Sequence, residues 1–425
     1  MPRGFYTIMA AQFFSSLADN ALLVAAIALL LQVDAPDWLP PFLKFFFVIS
    51  YVALAPYVGA FADRLPKGDV MFISNTIKIG GCLAMLFGAD PLLAYAVVGL
   101  GAAAYSPAKY GILTEYLPHN KLVAANGWIE GLTVGSIIVG TVLGGVLIAP
   151  KVASALLAFA VPRLDTGVDT PAEAAIAIIA LVYAVAAAFN LFIPQTGVEM
   201  RMLPAHPWAT LKDFSSCCVR LWKDKLGQIS LAVTTLFWGA GATLQFIVIA
   251  WSETALGFDL SEASRLQGVV AIGIAAGAVI ASLRVSLDRA VSVIPLGIAM
   301  GLIVICMNFV RDVWLAVPLL ILIGGLAGFF VVPMNALLQH RGHHLMGAGR
   351  SIAVQNFNEN ASILIMIAGY SALIKNGISI YIAIAAFGMF VASTMTLVRA
   401  WHERNLRKHG DEVQALLSVA RSAHQ

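Results

Sequence analysis

Apolar residues in this chain come in long blocks separated by short polar turns. A helix needs about 20 apolar residues to cross a bilayer core. About twelve blocks reach that length: 5–32, 41–62, 70–89, 91–114, 122–149 and 172–194, then 229–254, 264–284, 290–310, 313–339, 348–374 and 378–401. Helices are expected throughout, because lipid offers the backbone no hydrogen-bond partner and the blocks are too long for barrel strands. The expected fold class is an all-α integral membrane protein, with about twelve transmembrane helices in two pseudo-symmetric six-helix bundles. The first block is too long for the apolar part of a signal peptide and lacks a small-residue cleavage site at its end. It is expected to stay as a helix.

One long polar gap, 195–228, divides the blocks six and six. The expected organisation is a first bundle over 1–194, a basic linker over 195–228, a second bundle over 229–402 and a tail over 403–425. Inside the linker, Leu211, Phe214, Val219, Leu221 and Trp222 alternate with lysines and arginines. That pattern fits an amphipathic surface helix, and a solvated connector fits it equally well. Loops after even-numbered blocks carry Arg64 and Lys67, Lys121, the basic linker, Arg284 and Arg289, and Arg341. Loops after odd-numbered blocks carry fewer basic residues: Lys151, Arg163, Arg265, Arg311 and Lys375. Basic residues stay on the cytoplasmic side, so both termini are expected there.

Two halves joined by a basic cytoplasmic loop are the layout of a transporter built from parallel repeats. A weak internal match supports it. Residues 101–131 resemble 328–360: each has a proline in the even block (Pro107, Pro333), a short basic loop, and an amide followed four residues later by glutamate. The latter pairs are Asn126 with Glu130 and Gln355 with Glu359, a spacing that puts both side chains on one helix face.

Composition narrows the class. The chain is 60% hydrophobic and 12% charged, against about 25% charged in soluble domains. A formal charge of only +3 argues against a nucleic-acid partner. Cys82, Cys217, Cys218 and Cys306 lack metal-ligand spacing and form no disulfide framework. No histidine is followed by aspartate five residues later, and phosphate-loop, His-Glu-x-x-His and Gly-x-Ser-x-Gly motifs are absent. No enzyme activity, cofactor or metal is expected; His340, His343 and His344 read as part of a basic loop.

The informative residues are charges inside the apolar blocks, which cost at least about 2.5–3.5 kcal/mol each. They are Asp19, Lys78, Lys109, Glu115, Glu130 and Glu359. Lys78 is placed close enough to a helix end to snorkel, and Glu115 at a cytoplasmic end. For Asp19, Lys109, Glu130 and Glu359 two readings stay open: buried ion pairs that fix helix packing, or the wall of a polar cavity, to which Asn20 adds an amide. The cavity reading is favoured, because blocks one, four, five and eleven line the central path of a two-half bundle. On that reading Asp19→Asn lowers transport and leaves folding intact.

The loop GAFADRLPKGDV, 59–70, resembles the signature loop of the major facilitator superfamily through Gly59, Asp63, Arg64 and Lys67. The resemblance implies a gating loop that latches the two halves on the cytoplasmic side. Pro66 and Lys67 depart from the usual glycine and arginine.

AAAYSPAKYGIL (102–113), KLVAANG (121–127), GFFVVPMNALLQ (328–339) and AVQNFNEN (353–360) are similar to the bacterial lysophospholipid transporter family within that superfamily. FFSSLADNALL (13–23) and TLFWGAGATLQF (235–246) fit as well, so the resemblance runs from about residue 8 to 400. It implies a flippase of the bacterial inner membrane that moves lysophosphatidylethanolamine and lysophosphatidylglycerol from the outer to the inner leaflet. Re-acylation by a cytoplasmic acyltransferase/acyl-carrier-protein synthetase would follow, with no obligatory ion coupling. The polar residues that match the family are Asp19, Asn20, Lys109 and Glu359; the full set of expected substrate-binding residues adds Glu130, Trp238, Gln245, Gln355 and Asn356. Phosphate would go to Lys109 or amides, ammonium to Asp19, Glu130 or Glu359, and the acyl chain to Trp238 and its apolar neighbours. The family's arginine in the seventh block is replaced by Gln245, which leaves head-group binding on that side without its charge. The alternative reading is a proton-coupled carrier of a small solute or drug.

Overall fold

The structure is a computed structural model and describes residues 3–117, 119–158, 168–197, 207–346 and 348–422, without the side chains of residues 59, 60, 63, 114, 119–127, 130, 134, 207, 343, 348, 349 and 419–422. Among the described residues the regular structure is helical. The helices are α1 (Arg3–Gln32), α2 (Pro40–Ala53), α3 (Ala55–Arg64), α4 (Lys67–Leu86), α5 (Pro91–Tyr116), α6 (His119–Ile148), α7 (Pro150–Ala158) and α8 (Pro171–Leu191). They are followed by α9 (Pro207–Lys223), α10 (Gly227–Leu256), α11 (Leu260–Arg284), α12 (Ile294–Ile305, extended at both ends by 3₁₀ turns), α13 (Val313–Met346), α14 (Ala348–Lys375), α15 (Ile380–Lys408) and α16 (Gly410–Ser422).

Among the described residues eleven helical stretches are long and apolar enough to cross a membrane. The expected block 41–62 differs, because it is two helices meeting at Leu54. Pro56 has no amide hydrogen to give the Val52 carbonyl one turn back, and its ring crowds that turn, so the ladder breaks just before it. Leu54 leaves the helical region at φ −103°, ψ 1°, and α3 restarts with Val58 N donating to Leu54 O at 3.0 Å. Elsewhere local chemistry sets the ends. Asp90 caps α5 through the amides of Leu92 and Leu93, both at 3.0 Å. Thr170 and Glu173 form a capping box on α8. Gly257 takes the left-handed conformation (φ 68°) that stops α10.

The chain forms two compact units, Met1–Pro207 with Phe258–Gly268, and Trp208–Gly257 with Val269–Gln425. In the first, α1 packs on α6 and α8, α4 on α5 and α8, and α2 on α5. In the second, α10 packs on α14 and α15, and α12 on α13 and α15. There α11 meets α13 where Gly273 faces the Ile321 carbonyl and Gly328 the Ile274 carbonyl. Each pairing in the first unit therefore has its counterpart six spans later. Glycines permit these approaches. A Cβ on Gly144 of α6 would stand 2.7 Å from the Ala21 carbonyl of α1, and one on Gly301 of α12 would stand 2.8 Å from the Gly388 carbonyl of α15.

The helix of the linker, α9, lies in the second unit. Cys217 and Leu221 are buried with Leu231, Leu338 and Val354, and Phe214 and Trp222 pack against them. The segment is thus a helix, which corrects the solvated-connector reading, and its Phe214, Leu221 and Trp222 pack on protein while Val219 stays exposed. Trp222 stacks on Trp401 with ring centroids 6.4 Å apart and donates to Asn358 Oδ1 at 3.1 Å.

Candidate functional site

In the first unit the polar centre starts from α1, where Ser15 and Asp19 lie four residues apart and share a face. On α4, Asn75 and Lys78 share a face in the same way. Lys78 Nζ stands 2.8 Å from Asp19 Oδ1 and 2.9 Å from Oδ2, and donates to Ser15 Oγ at 3.0 Å. Ser15 Oγ donates to Asn75 Oδ1 at 2.7 Å. From α8, the Tyr183 hydroxyl donates to Asp19 Oδ1 at 2.7 Å. The rings of Tyr105 and Tyr183 flank the ammonium at 5.1 and 5.4 Å. Lys78 is 1% exposed and Asp19 21%.

The snorkelling reading of Lys78 is therefore wrong. Its amine points into the bundle because a carboxylate, a hydroxyl and two aromatic faces satisfy it there, near the middle of α4. Asp19 is one member of an ion pair that ties α1, α4 and α8 together, and its other side retains access. A buried pair broken by loss of one partner costs about 3–5 kcal/mol. Asp19→Asn strands the Lys78 ammonium, so an intact fold is not expected of that variant alone.

Asn20 donates to its own helix, Nδ2 to Ser16 O at 2.8 Å. Lys109 is buried, with its ammonium 4.6 Å above the Tyr110 ring. The side chain of Glu130 lies outside the described residues, as does that of Asn126. In the signature loop, Arg64 is exposed, and the side chains of Gly59 and Asp63 lie outside the described residues. Lys67 is buried, donates to the Ala62 carbonyl at 2.7 Å and stands 3.3 Å from Glu115 Oε1. Glu115 Oε2 accepts from Thr196 at 2.9 Å. Lys67 thus joins the end of α3 to the end of α5.

In the second unit the central polar group is an amide and carboxylate cluster. Gln355 Nε2 donates to Glu359 Oε1 at 2.8 Å and to Asn335 Oδ1 of α13 at 2.6 Å. Gln355 and Glu359 are both buried. Asn356 is half-buried one position around the helix, and its carbonyl accepts from Asn360 Nδ2 at 2.6 Å. On α10, Trp238 is 38% exposed and meets Phe237 edge-on, and Phe237 meets Phe330 of α13. Gln245 lies two turns further along α10 and is half-buried. A buried charge pair of this unit lies at helix ends: Arg341 Nη2 bonds Asp224 Oδ2 at 2.6 Å and Nε bonds Oδ1 at 3.1 Å. Asp224 Oδ1 also accepts from the Gly227 amide at 2.7 Å and so caps α10.

The structure brings Gln355 and Glu359 together, as their spacing predicts. It gives Asp19 partners absent from the expected site, chiefly Lys78 and Tyr183. The available signal was the position of Lys78 near the middle of Lys67–Leu86, deep enough to need a partner. Lys44 on α2 is a second span-embedded cation absent from the expected site. It lies in the second turn, where a snorkelling lysine reads the same. No cluster of three or more metal-binding side chains occurs among the described residues.

What these polar centres can do is hold a charged or zwitterionic group inside an apolar bundle. Known proteins place that architecture. The sequence profile of the Major Facilitator Superfamily matches residues 8–366. The chain is 42% identical over 381 residues to the lysophospholipid transporter LplT of Pectobacterium carotovorum subsp. carotovorum (strain PC1), covering 89% of each. It is 43% identical over 378 residues to LplT of Yersinia pestis (strain Pestoides F), covering 89% of this chain and 88% of the relative. Among solved structures, the nucleoside transporter NupG superposes with a TM-score of 0.68 at 13% identity, covering 93% of this chain and all of NupG. A bacterial homologue of the lysosomal transporter Spinster gives 0.62 at 14% identity, covering 98% and 96%. At such identity those two speak for the fold alone. With a helical two-unit fold, membrane-length spans and a profile match across most of its length, this multi-pass membrane protein belongs to the Major Facilitator Superfamily.

Proposed function

We propose that the chain is a lysophospholipid transporter of the bacterial inner membrane. It moves lysophosphatidylethanolamine and lysophosphatidylglycerol from the outer to the inner leaflet by alternating access of two six-helix halves. The observation that carries this reading is the 42–43% identity to proteins named lysophospholipid transporter over 89% of the chain. The polar centres fit the cargo: the phosphodiester of a lysolipid wants a cation or amide donors, and its ammonium wants an acceptor such as Glu359. The single acyl chain finds apolar wall in Trp238 and Phe237. Both termini are cytoplasmic on this reading, and the basic loops face the same side. The product is consumed by a cytoplasmic acyltransferase/acyl-carrier-protein synthetase, and that consumption drives net inward flux without obligatory ion coupling. The protein is a carrier and not an enzyme.

The test is uptake of labelled lysophosphatidylethanolamine into inner-membrane vesicles, with diacyl lipid as control, for wild type and Glu359→Gln. Uptake of the lysolipid alone, reduced in a well-folded Glu359→Gln, supports the reading. No uptake by folded wild type sinks it and points to a proton-coupled small-solute carrier.

A further inference from the structure

Among the described residues Lys44 is a cation with no ion-pair partner. It sits on α2, and it is partly exposed. Its ammonium lies 5.5 Å from the centroid of the Phe47 ring. Among the described residues it makes no hydrogen bond and no ion pair. Both oxygens of Asp19, the carboxylate of the polar centre, are held by Lys78. The Asp19–Lys78 pair is neutral as a unit and leaves Lys44 without a dedicated counter-ion among the described residues. A cation–π contact contributes about 0.5–2 kcal/mol and does not replace an anion.

Lys44 lies beside the ring of Phe47, one turn further along α2. Phe47 continues inward to Tyr51 and Tyr95, with centroids 6.1 and 5.2 Å away. The Tyr95 hydroxyl reaches the Asp19 carbonyl at 3.5 Å. An aromatic wall thus runs from the lysine to the polar centre. An ammonium kept in apolar surroundings with no anion is costly, and a visiting anion removes that cost. The chain also lacks a charge at Gln245 in the seventh span, where the resemblance implies arginine.

We propose that Lys44 binds the phosphate of the lysophospholipid head group, an assignment that rests on the transport reading above. The lysine sets the anion end of the cargo, and the aromatic wall beneath it covers the glycerol and the first part of the chain. Head groups keeping the phosphodiester, whether ethanolamine or glycerol, are accepted through the same contact.

The test uses the full-length protein in proteoliposomes, with lysophosphatidylethanolamine flux measured against concentration for wild type, Lys44→Gln and Lys44→Arg. Lys44→Gln is expected to raise KM about tenfold, the worth of one charge-assisted hydrogen bond, with kcat and Tm near wild type. Lys44→Arg is expected to stay within about threefold, since a guanidinium also holds phosphate. Wild-type KM in a folded Lys44→Gln overturns the assignment while leaving the transport reading standing; no flux in wild type overturns the transport reading itself. Should Lys44→Gln fail to fold, amine acylation of wild type decides. Protection of Lys44 by lysophosphatidylethanolamine, read by mass spectrometry, supports the site, and unprotected labelling overturns it. Equal protection by chain-free glycerophosphoethanolamine would overturn a lipid site in favour of a plain phosphodiester site.

Discussion

The two units share a helix-packing scheme and differ in what they bury. In the first, a charge pair sits near the middle of its spans: Asp19 and Lys78 join α1 to α4, with Tyr183 of α8 completing the ring. In the second, the middle is held by neutral amides and one carboxylate, Asn335, Gln355 and Glu359. A buried charge pair, Arg341 with Asp224, lies at the helix ends. The difference teaches that the repeat resides in the backbone approach of small residues. Polar interiors are free to diverge, because a hydrogen bond or ion pair needs only a partner within reach.

The comparison breaks most visibly at Lys78. Lys78→Met leaves the Asp19 carboxylate without its cation, and a loss of about 3–5 kcal/mol is expected, seen as a large drop in Tm in detergent. The double variant Asp19→Asn with Lys78→Met removes both charges and should recover much of that Tm. If the double variant melts as low as the single one, the pair is not what holds α1 to α4. Recovered folding with lost flux would show that the mid-span charges also serve transport.

Arg341→Ala is expected to cost about as much, since both partners are 7% exposed. Asp224→Ala should cost more than Arg341→Ala, because it also removes the cap on α10, worth about 1 kcal/mol. Equal melting temperatures for the two would refute the capping role. Gly144→Val comes next. The added carbons meet the Ala21 carbonyl and Val24, and overpacking of about 1–3 kcal/mol is expected, measured as lowered Tm. Trp222→Phe keeps a ring against Trp401 and loses the bond to Asn358, costing about 1 kcal/mol. Arg399→Ala is the smallest. Its partner Glu403 is about as exposed as the arginine itself, and a change below about 0.5 kcal/mol is expected for such a surface pair.

Much of the site was legible as residue type and little of it as partnership. Gln355 and Glu359 are four apart on one helix, so the sequence carries their contact directly. Asp19 announces itself as a carboxylate in an apolar span. Its partner does not, because Lys78 lies 59 residues away on another helix, and helical period reports a face but not the helix that face meets. Lys44 was hidden for a related reason. A lysine in the second turn of a span reads as one that snorkels, and only the folded structure sets beside it the ring of Phe47, which continues to Tyr51 and Tyr95.

By itself the sequence determined the class and most of the span boundaries, because a bilayer forces every long apolar run into a helix. It also determined the family, through strings such as SPAKYGIL, and marked which charges were out of place. The tertiary structure alone decided where a span breaks in two at Leu54, that α9 packs into the second unit, and which charges neutralise each other. Hydrophobicity and helical period are properties of a segment. The pairing of a buried ion is set by the rotation and neighbours of helices brought together only when the chain folds.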